Sequence, residues 1–101
     1  MDPLSPRQRK ALRGLAHSLD PVVQVGRGGL NDAVVDEIDR ALSSHELIKV
    51  RLGGDRDERA MQAKTLGERT HAHLVTTIGR MAIFYRQSEE PEERSIQLPP
   101  A

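Results

Sequence analysis

The 101-residue sequence predicts a single α/β domain of two layers, in the order α-β-α-β-α-β-β, with its helices on one face of a four-stranded mixed sheet. Three observations predict it. Helical amphipathic periodicity alternates with short β-branched runs, the pattern of β-α-β units joined by right-handed crossovers. Residues 48–52 alternate apolar and cationic side chains, as a strand with one wet face does. A Gly-rich break, Gly26-Arg27-Gly28-Gly29, separates the first strand from the second helix, and glycine there permits φ > 0 and close approach of another backbone.

Each element has its own warrant. Ser5-Pro6-Arg7-Gln8 starts the first helix: Ser5 can cap, Pro6 suits the first helical position and Gln8 completes a capping box. Leu12, Leu15, Ala16 and Leu19 recur at helical spacing, and Asp20-Pro21 ends the helix because the residue before proline is pushed out of the helical region. Residues 21–25 form a β-branched strand. Asn31 can cap the second helix, whose apolar stripe is Leu30, Val34, Ile38, Ala41 and Leu42. Its outer face is acidic (Asp32, Asp36, Glu37, Asp39), with Asp36 and Arg40 spaced for an i, i+4 pair. Ser43-Ser44-His45 closes it. In the next strand Ile48, Val50 and Leu52 point inward and Lys49 and Arg51 outward, until Gly53-Gly54 breaks it. A third helix runs from 57 to about 70, and its small residues, Ala60, Ala63 and Gly67, predict close approach to the sheet. Strands at 72–78 and 81–86 pair through a tight Gly79-Arg80 turn. Residues 1–87 are thus one domain. Residues 88–101 are rich in Glu and Pro and read as an acidic, disordered tail.

Composition excludes several functions. Phe84 and Tyr85 are the only aromatic residues, so the core is aliphatic and no array of rings offers unpaired bases a stacking platform. There is no Cys, hence no disulfide framework or thiolate chemistry, which is compatible with a reducing cytoplasm. No apolar run has the length of a membrane span or a signal peptide. The net charge of zero hides a segregation. Residues 88–101 carry Glu89, Glu90, Glu92 and Glu93 against Arg94, a charge of −3, while the preceding residues carry 14 basic and 11 acidic groups. On the first helix Lys10, Arg13 and His17 lie three and four apart, one stripe. Such a stripe is in most helices a solvated face. No acid occurs between Asp2 and Asp20, whereas ordinary surface helices mix signs, and this favours a polyanion as partner.

Four constellations could carry chemistry. Gly26-x-Gly28 after a strand resembles the start of a dinucleotide fingerprint, but Asn31 stands where the third Gly belongs. His17, His45, His71 and His73 have no metal-ligand spacing, and no metal, cofactor or small-molecule substrate is expected. The acids lie on exposed helix faces where nothing tunes them for proton transfer, and no catalytic residue is assigned. The fourth is the loop itself. Gly26, Arg27, Gly28 and Gly29 form a G-x-x-G, which lets a phosphodiester chain lie against main-chain N–H groups, with Arg27 adding a charge-assisted contact. Asp32 occupies the first turn of the following helix, where a phosphate would otherwise settle, so the loop amides and Arg27 are expected to hold the backbone.

Ordered blocks along the chain resemble a known family. Leu4-Ser5-x-x-Gln8-Arg9, Leu12-Arg13-Gly14-Leu15-Ala16-His17, Pro21-Val22-Val23-Gln24-Val25-Gly26-x-x-Gly29-Leu30, His45-Glu46-Leu47-Ile48-Lys49-Val50 and Ile78-Gly79-Arg80 through Tyr85-Arg86 look like a CRM (chloroplast RNA splicing and ribosome maturation) domain of the stand-alone bacterial type. The resemblance implies a fold similar to the C-terminal domain of translation initiation factor three. It also implies RNA binding through the loop and the adjacent basic helix, and association with ribosomal RNA of precursor large subunits in ribosome assembly. Carried over by position, the loop is 26–29 and the helix supplies Lys10, Arg13 and His17; Lys49 and Arg51 add sequence-independent attraction. The acidic tail and the modest positive charge of the body depart from the pattern. The alternative is a protein-interaction module docking on a ribosomal protein or assembly factor through the acidic second helix and tail.

Overall fold

Side-chain alternation sorts this protein's sheet into two covered faces. The computed structural model describes residues 3–26 and 28–101. In chain order the elements are α1 (Pro6–Ala16), β1 (Pro21–Gln24), α2 (Asp32–His45), β2 (Leu47–Arg51), α3 (Arg56–Thr70), β3 (His73–Ile78) and β4 (Met81–Tyr85). The strand order is β1-β2-β4-β3, with β1 parallel to β2 and β4 antiparallel to both its neighbours. The α/β class, the element order and the mixed four-stranded sheet are those the sequence predicts.

One face carries the larger core. Val23 and Val25, Ile48, Val50 and Leu52, and Ala82 and Phe84 pack there against Val35, Ile38 and Leu42 of α2 and Ala63 and Leu66 of α3. Gly67 lets α3 sit low: a Cβ there would stand 3.3 Å from the Ala72 carbonyl oxygen and 3.8 Å from the Phe84 ring. This is the close approach that the small residues of that helix predict.

The sequence pattern places all helices on one face, and here the structure corrects it. α1 lies on the opposite face, where Leu12 and Ala16 bury against Leu47, Val75, Ile83 and Tyr85. The reason is the second apolar set: β2 begins and β4 ends with hydrophobic residues on that side, and exposed they would favour water exclusion by some covering element. α1 is also shorter than its periodicity suggests. It stops at Ala16, Leu15 and Leu19 stay partly exposed, and only Leu12 and Ala16 are buried. The chain must turn at 17–20 to bring Pro21 into register with Lys49.

The C-terminal segment is a second difference. Its composition reads as disorder, yet residues 96–99 lie along the α1 side of the domain, and Ser88, Glu89 and Glu90 border the ends of α2 and α3. Ile96 and Leu98 pack with Leu4 on the smaller core, and the Gln8 side chain donates to the Pro99 carbonyl at 3.1 Å. The polar anchor is Glu46, which the sequence reading treats as a plain strand residue.

Candidate nucleic-acid interface

The G-x-x-G loop leaves the sheet where β1 ends. Val25 N–H still donates to the Arg51 carbonyl at 2.8 Å, and Gly29 N–H donates back to the Gly26 carbonyl at 3.0 Å, closing a tight turn. Gly29 has φ +66, a conformation that side-chain-bearing residues adopt at a cost. Asn31 then caps α2, its side-chain oxygen accepting from Val34 N–H at 2.9 Å. Parallel pairing of β1 with β2 brings a second glycine break alongside. A Cβ on Gly53 would lie 3.1 Å from the Val25 carbonyl oxygen, and Leu52 N–H donates to the Arg80 carbonyl at 2.7 Å. The loop, Gly53-Gly54 and the β3–β4 hairpin therefore gather at one end of the sheet.

The same end is open on the α1 side. Leu47 faces α1, so by alternation Lys49 and Arg51 face that way too. Cross-strand register aligns Gln24 with Arg51, Arg51 with Met81 and Met81 with Ile78, a row running across all four strands. α1 covers the other half of this face and leaves the row uncovered: Gln24 and Arg51 are exposed, Met81 is half-exposed and Ile78 is 61% exposed.

The structure treats the sequence-predicted residues differently. Lys10, Arg13 and His17 are exposed on α1, and Arg51 and the half-buried Lys49 lie on the sheet face that α1 packs on. Gly26, Gly28 and Gly29 form the turn. Arg27 lies outside the described residues. Arg9, one residue from Lys10, serves the fold: its guanidinium donates to the carbonyls of Leu74 and Val75 at 2.8 and 2.9 Å, where a register shift between Leu74 and Thr76 leaves Val75 without a cross-strand partner. Asp32 does stand in the first turn of α2, and its carboxylate accepts from Arg69 at 2.8 Å. Asp36 and Arg40 do not form an ion pair; among the described residues the pairs are Arg69–Asp32 and Arg86–Asp39. Gln24 and Arg80 are missed by the sequence reading. Only strand pairing places them beside the loop, although the Gly53-Gly54 break is a legible hint of a second turn there.

At the opposite end the charged groups are engaged by the protein itself. Glu46 follows α2 with φ +59 and is 2% exposed. Its carboxylate accepts from the N–H groups of Ser88 (2.6 Å), Ser95 (2.8 Å) and Ile96 (3.3 Å) and from the Ser95 hydroxyl (3.2 Å). Burial pushes this carboxyl upward, but the three N–H donors and the hydroxyl together hold it below its ordinary value. Arg86 donates to the Asp39 carboxylate (2.6 Å) and carbonyl, the Thr70 carbonyl and the Ser43 hydroxyl, tying α2 to α3. His73 stacks on Tyr85 with ring centroids 6.3 Å apart; burial and then the Arg9 charge depress its pKa. Burial, then the charge of Glu46, raises that of Tyr85.

Such an arrangement defines a class: a small α/β domain with glycine turns and free cations at one end of its sheet and no assembled catalytic group among the described residues. The chain belongs to the CRS1 / YhbY (CRM) domain family, whose model matches residues 4–86. It is 45% identical over 100 residues to a Haemophilus influenzae protein named as an RNA-binding protein, the match covering 98% of each chain. It is 38% identical over 97 residues to "Probable RNA-binding protein YqeI" of Bacillus subtilis, covering 95% of this chain and 99% of that one. A solution structure of the Staphylococcus aureus protein SAV1595, described as a candidate RNA-binding protein, superposes with a TM-score of 0.82 at 41% identity, over 96% of this chain and 100% of that one.

Proposed function

We propose that this protein is a non-enzymatic RNA-binding domain that acts in the cytoplasm on ribosomal RNA of precursor large subunits. The observation that carries the reading is convergence. The G-x-x-G turn, Arg51, Lys49 and the cationic side of α1 belong to one face or one end of the sheet, although they lie far apart in sequence. In this reading α1 and β2 supply charge attraction, and the loop amides, with Arg27, fix the position of the sugar–phosphate backbone. The names of the relatives support RNA binding, and the large-subunit precursor is the finer part of the proposal. Fluorescence anisotropy with a ribosomal RNA fragment tests the first part: the double variant Lys10→Glu/Arg13→Glu and the variant Arg27→Glu should each weaken binding while leaving the circular dichroism spectrum and the melting temperature unchanged. Wild-type affinity in both would defeat it. Crosslinking in cells with sequencing of the bound RNA tests the second part.

One observation favours a second reading, docking on a protein. Asp36, Glu37 and Asp39 of α2 and Glu89, Glu90, Glu92 and Glu93 of the C-terminal segment are exposed, a surface suited to a basic partner. An association with pre-ribosomal particles that survives nuclease treatment would select it.

A further inference from the structure

Resting on the RNA-binding reading, we infer that the ligand of this face is helical RNA, gripped across the row Gln24–Arg51–Met81–Ile78 and the α1 flank, and not an unpaired strand read base by base. Three observations lead there. First, the two large rings are unavailable: Phe84 is 0% and Tyr85 1% exposed, and Tyr85 is further covered by His73, which leaves on the α1 flank the single exposed imidazole of His17. Second, the sheet row that faces the ligand presents an amide, a guanidinium and two aliphatic side chains, with no ring at any of its four positions. Stacking on aromatic side chains is the usual means by which a sheet holds unpaired bases. Third, clefts of about 840, 650 and 360 Å³ all border the C-terminal segment, and none is lined by Lys10, Arg13, Gln24, Lys49, Arg51 or the glycine turn. A base flipped toward the cationic groups would have none of these to enter.

What remains is the open sheet face itself. Strands about 4.8 Å apart make the row roughly 14 Å across. Cations from two elements, α1 and β2, belong to its side of the sheet, and the glycine turn lies at its end. That chemistry suits phosphates and 2′-hydroxyls displayed by the wide, shallow minor groove of an A-form duplex, read by shape. Met81 and Ile78 would lie against ribose. Binding should discriminate poorly among duplex sequences.

The experiment compares three fluorescent probes by anisotropy at low and moderate salt: an RNA hairpin with a stem of about 20 base pairs, an unpaired CA-repeat RNA of the same nucleotide count, and the hairpin as DNA. The expected result is that the RNA hairpin binds at least about fivefold tighter than either other probe, and that Ile78→Glu, an exposed hairpin position, lowers affinity for the RNA hairpin without lowering the melting temperature. Equal or tighter binding of the unpaired RNA, with Lys10→Glu/Arg13→Glu still weakening it, overturns this inference and leaves the RNA-binding reading intact. Equal binding of the DNA hairpin also overturns it, because shape is then not being read. Binding of none of the probes at low salt overturns both.

Discussion

The two ends of the sheet use charge in opposite ways. At the closed end, Glu46 and Arg86 are saturated by protein partners, and each joins segments remote in sequence. At the open end Arg51 and Arg80 are exposed, as are Lys10 and Arg13 on α1, and none of the four makes an ion pair among the described residues. A charge enclosed by donors and acceptors stabilises its own fold, and its removal leaves buried groups unmet. A charge left in water contributes little to stability and stays available to a ligand. Composition alone cannot separate the two kinds: Arg9 and Lys10 are neighbours on one helix, yet one holds β3 and the other faces solvent.

This contrast can be broken by experiment. The largest effect belongs to the closed end. Arg86→Ala removes hydrogen bonds to four acceptors and should cost about 2–4 kcal/mol in urea unfolding. RNA affinity per folded molecule should remain at the wild-type level; a parallel loss of affinity would show that the ends are not independent. On α1 Lys10→Glu/Arg13→Glu should do the reverse. If about five cations meet a single strand's phosphates, log K falls against log salt with a slope of roughly −3 to −4, and somewhat more steeply for a duplex. The double variant should flatten that slope by about 2 units, and an unchanged slope would remove α1 from the interface.

The glycine turn offers an internal comparison of smaller size. Gly29 has φ +66, so Gly29→Ala should cost about 1 kcal/mol of stability. A Cβ on Gly26 would meet nothing within 4 Å, so Gly26→Ala should leave the melting temperature unchanged. It should nevertheless weaken RNA binding, because the methyl stands where a ligand backbone would approach; unaltered affinity would reduce the loop to a turn.

Acid should act on the closed end through Glu46. The carboxyl of Glu46 is buried but held below its ordinary value of 4.5 by its donors, so it binds its proton less readily folded than unfolded. Its contribution is complete above about pH 4.5 and is lost as the pH falls below that value through the folded one. Amide exchange at Ser88, Ser95 and Ile96 should rise in that window, and Glu46→Gln should remove the dependence. The smallest effect is expected at Tyr85, whose buried hydroxyl has no partner among the described residues: Tyr85→Phe should be neutral or stabilising by up to about 1 kcal/mol in thermal unfolding.

By itself the sequence determined what is local. Periodicity gave three helices and four strands, Ser5 with Gln8 and Asn31 marked helix starts, and Gly79-Arg80 marked the hairpin, because caps, turns and side-chain period depend on residues within one or two turns of each other. Loop glycines and an acid-free helix were equally legible as a candidate site. Only the tertiary structure decided which face α1 covers, which cations remain exposed and where the C-terminal segment lies. Those outcomes depend on pairings between residues tens of positions apart: Arg9 with Leu74, Glu46 with Ser95, Gln24 with Arg51. A chain-local pattern carries no record of such partners, since the same arginine or glutamate would be written for either fate.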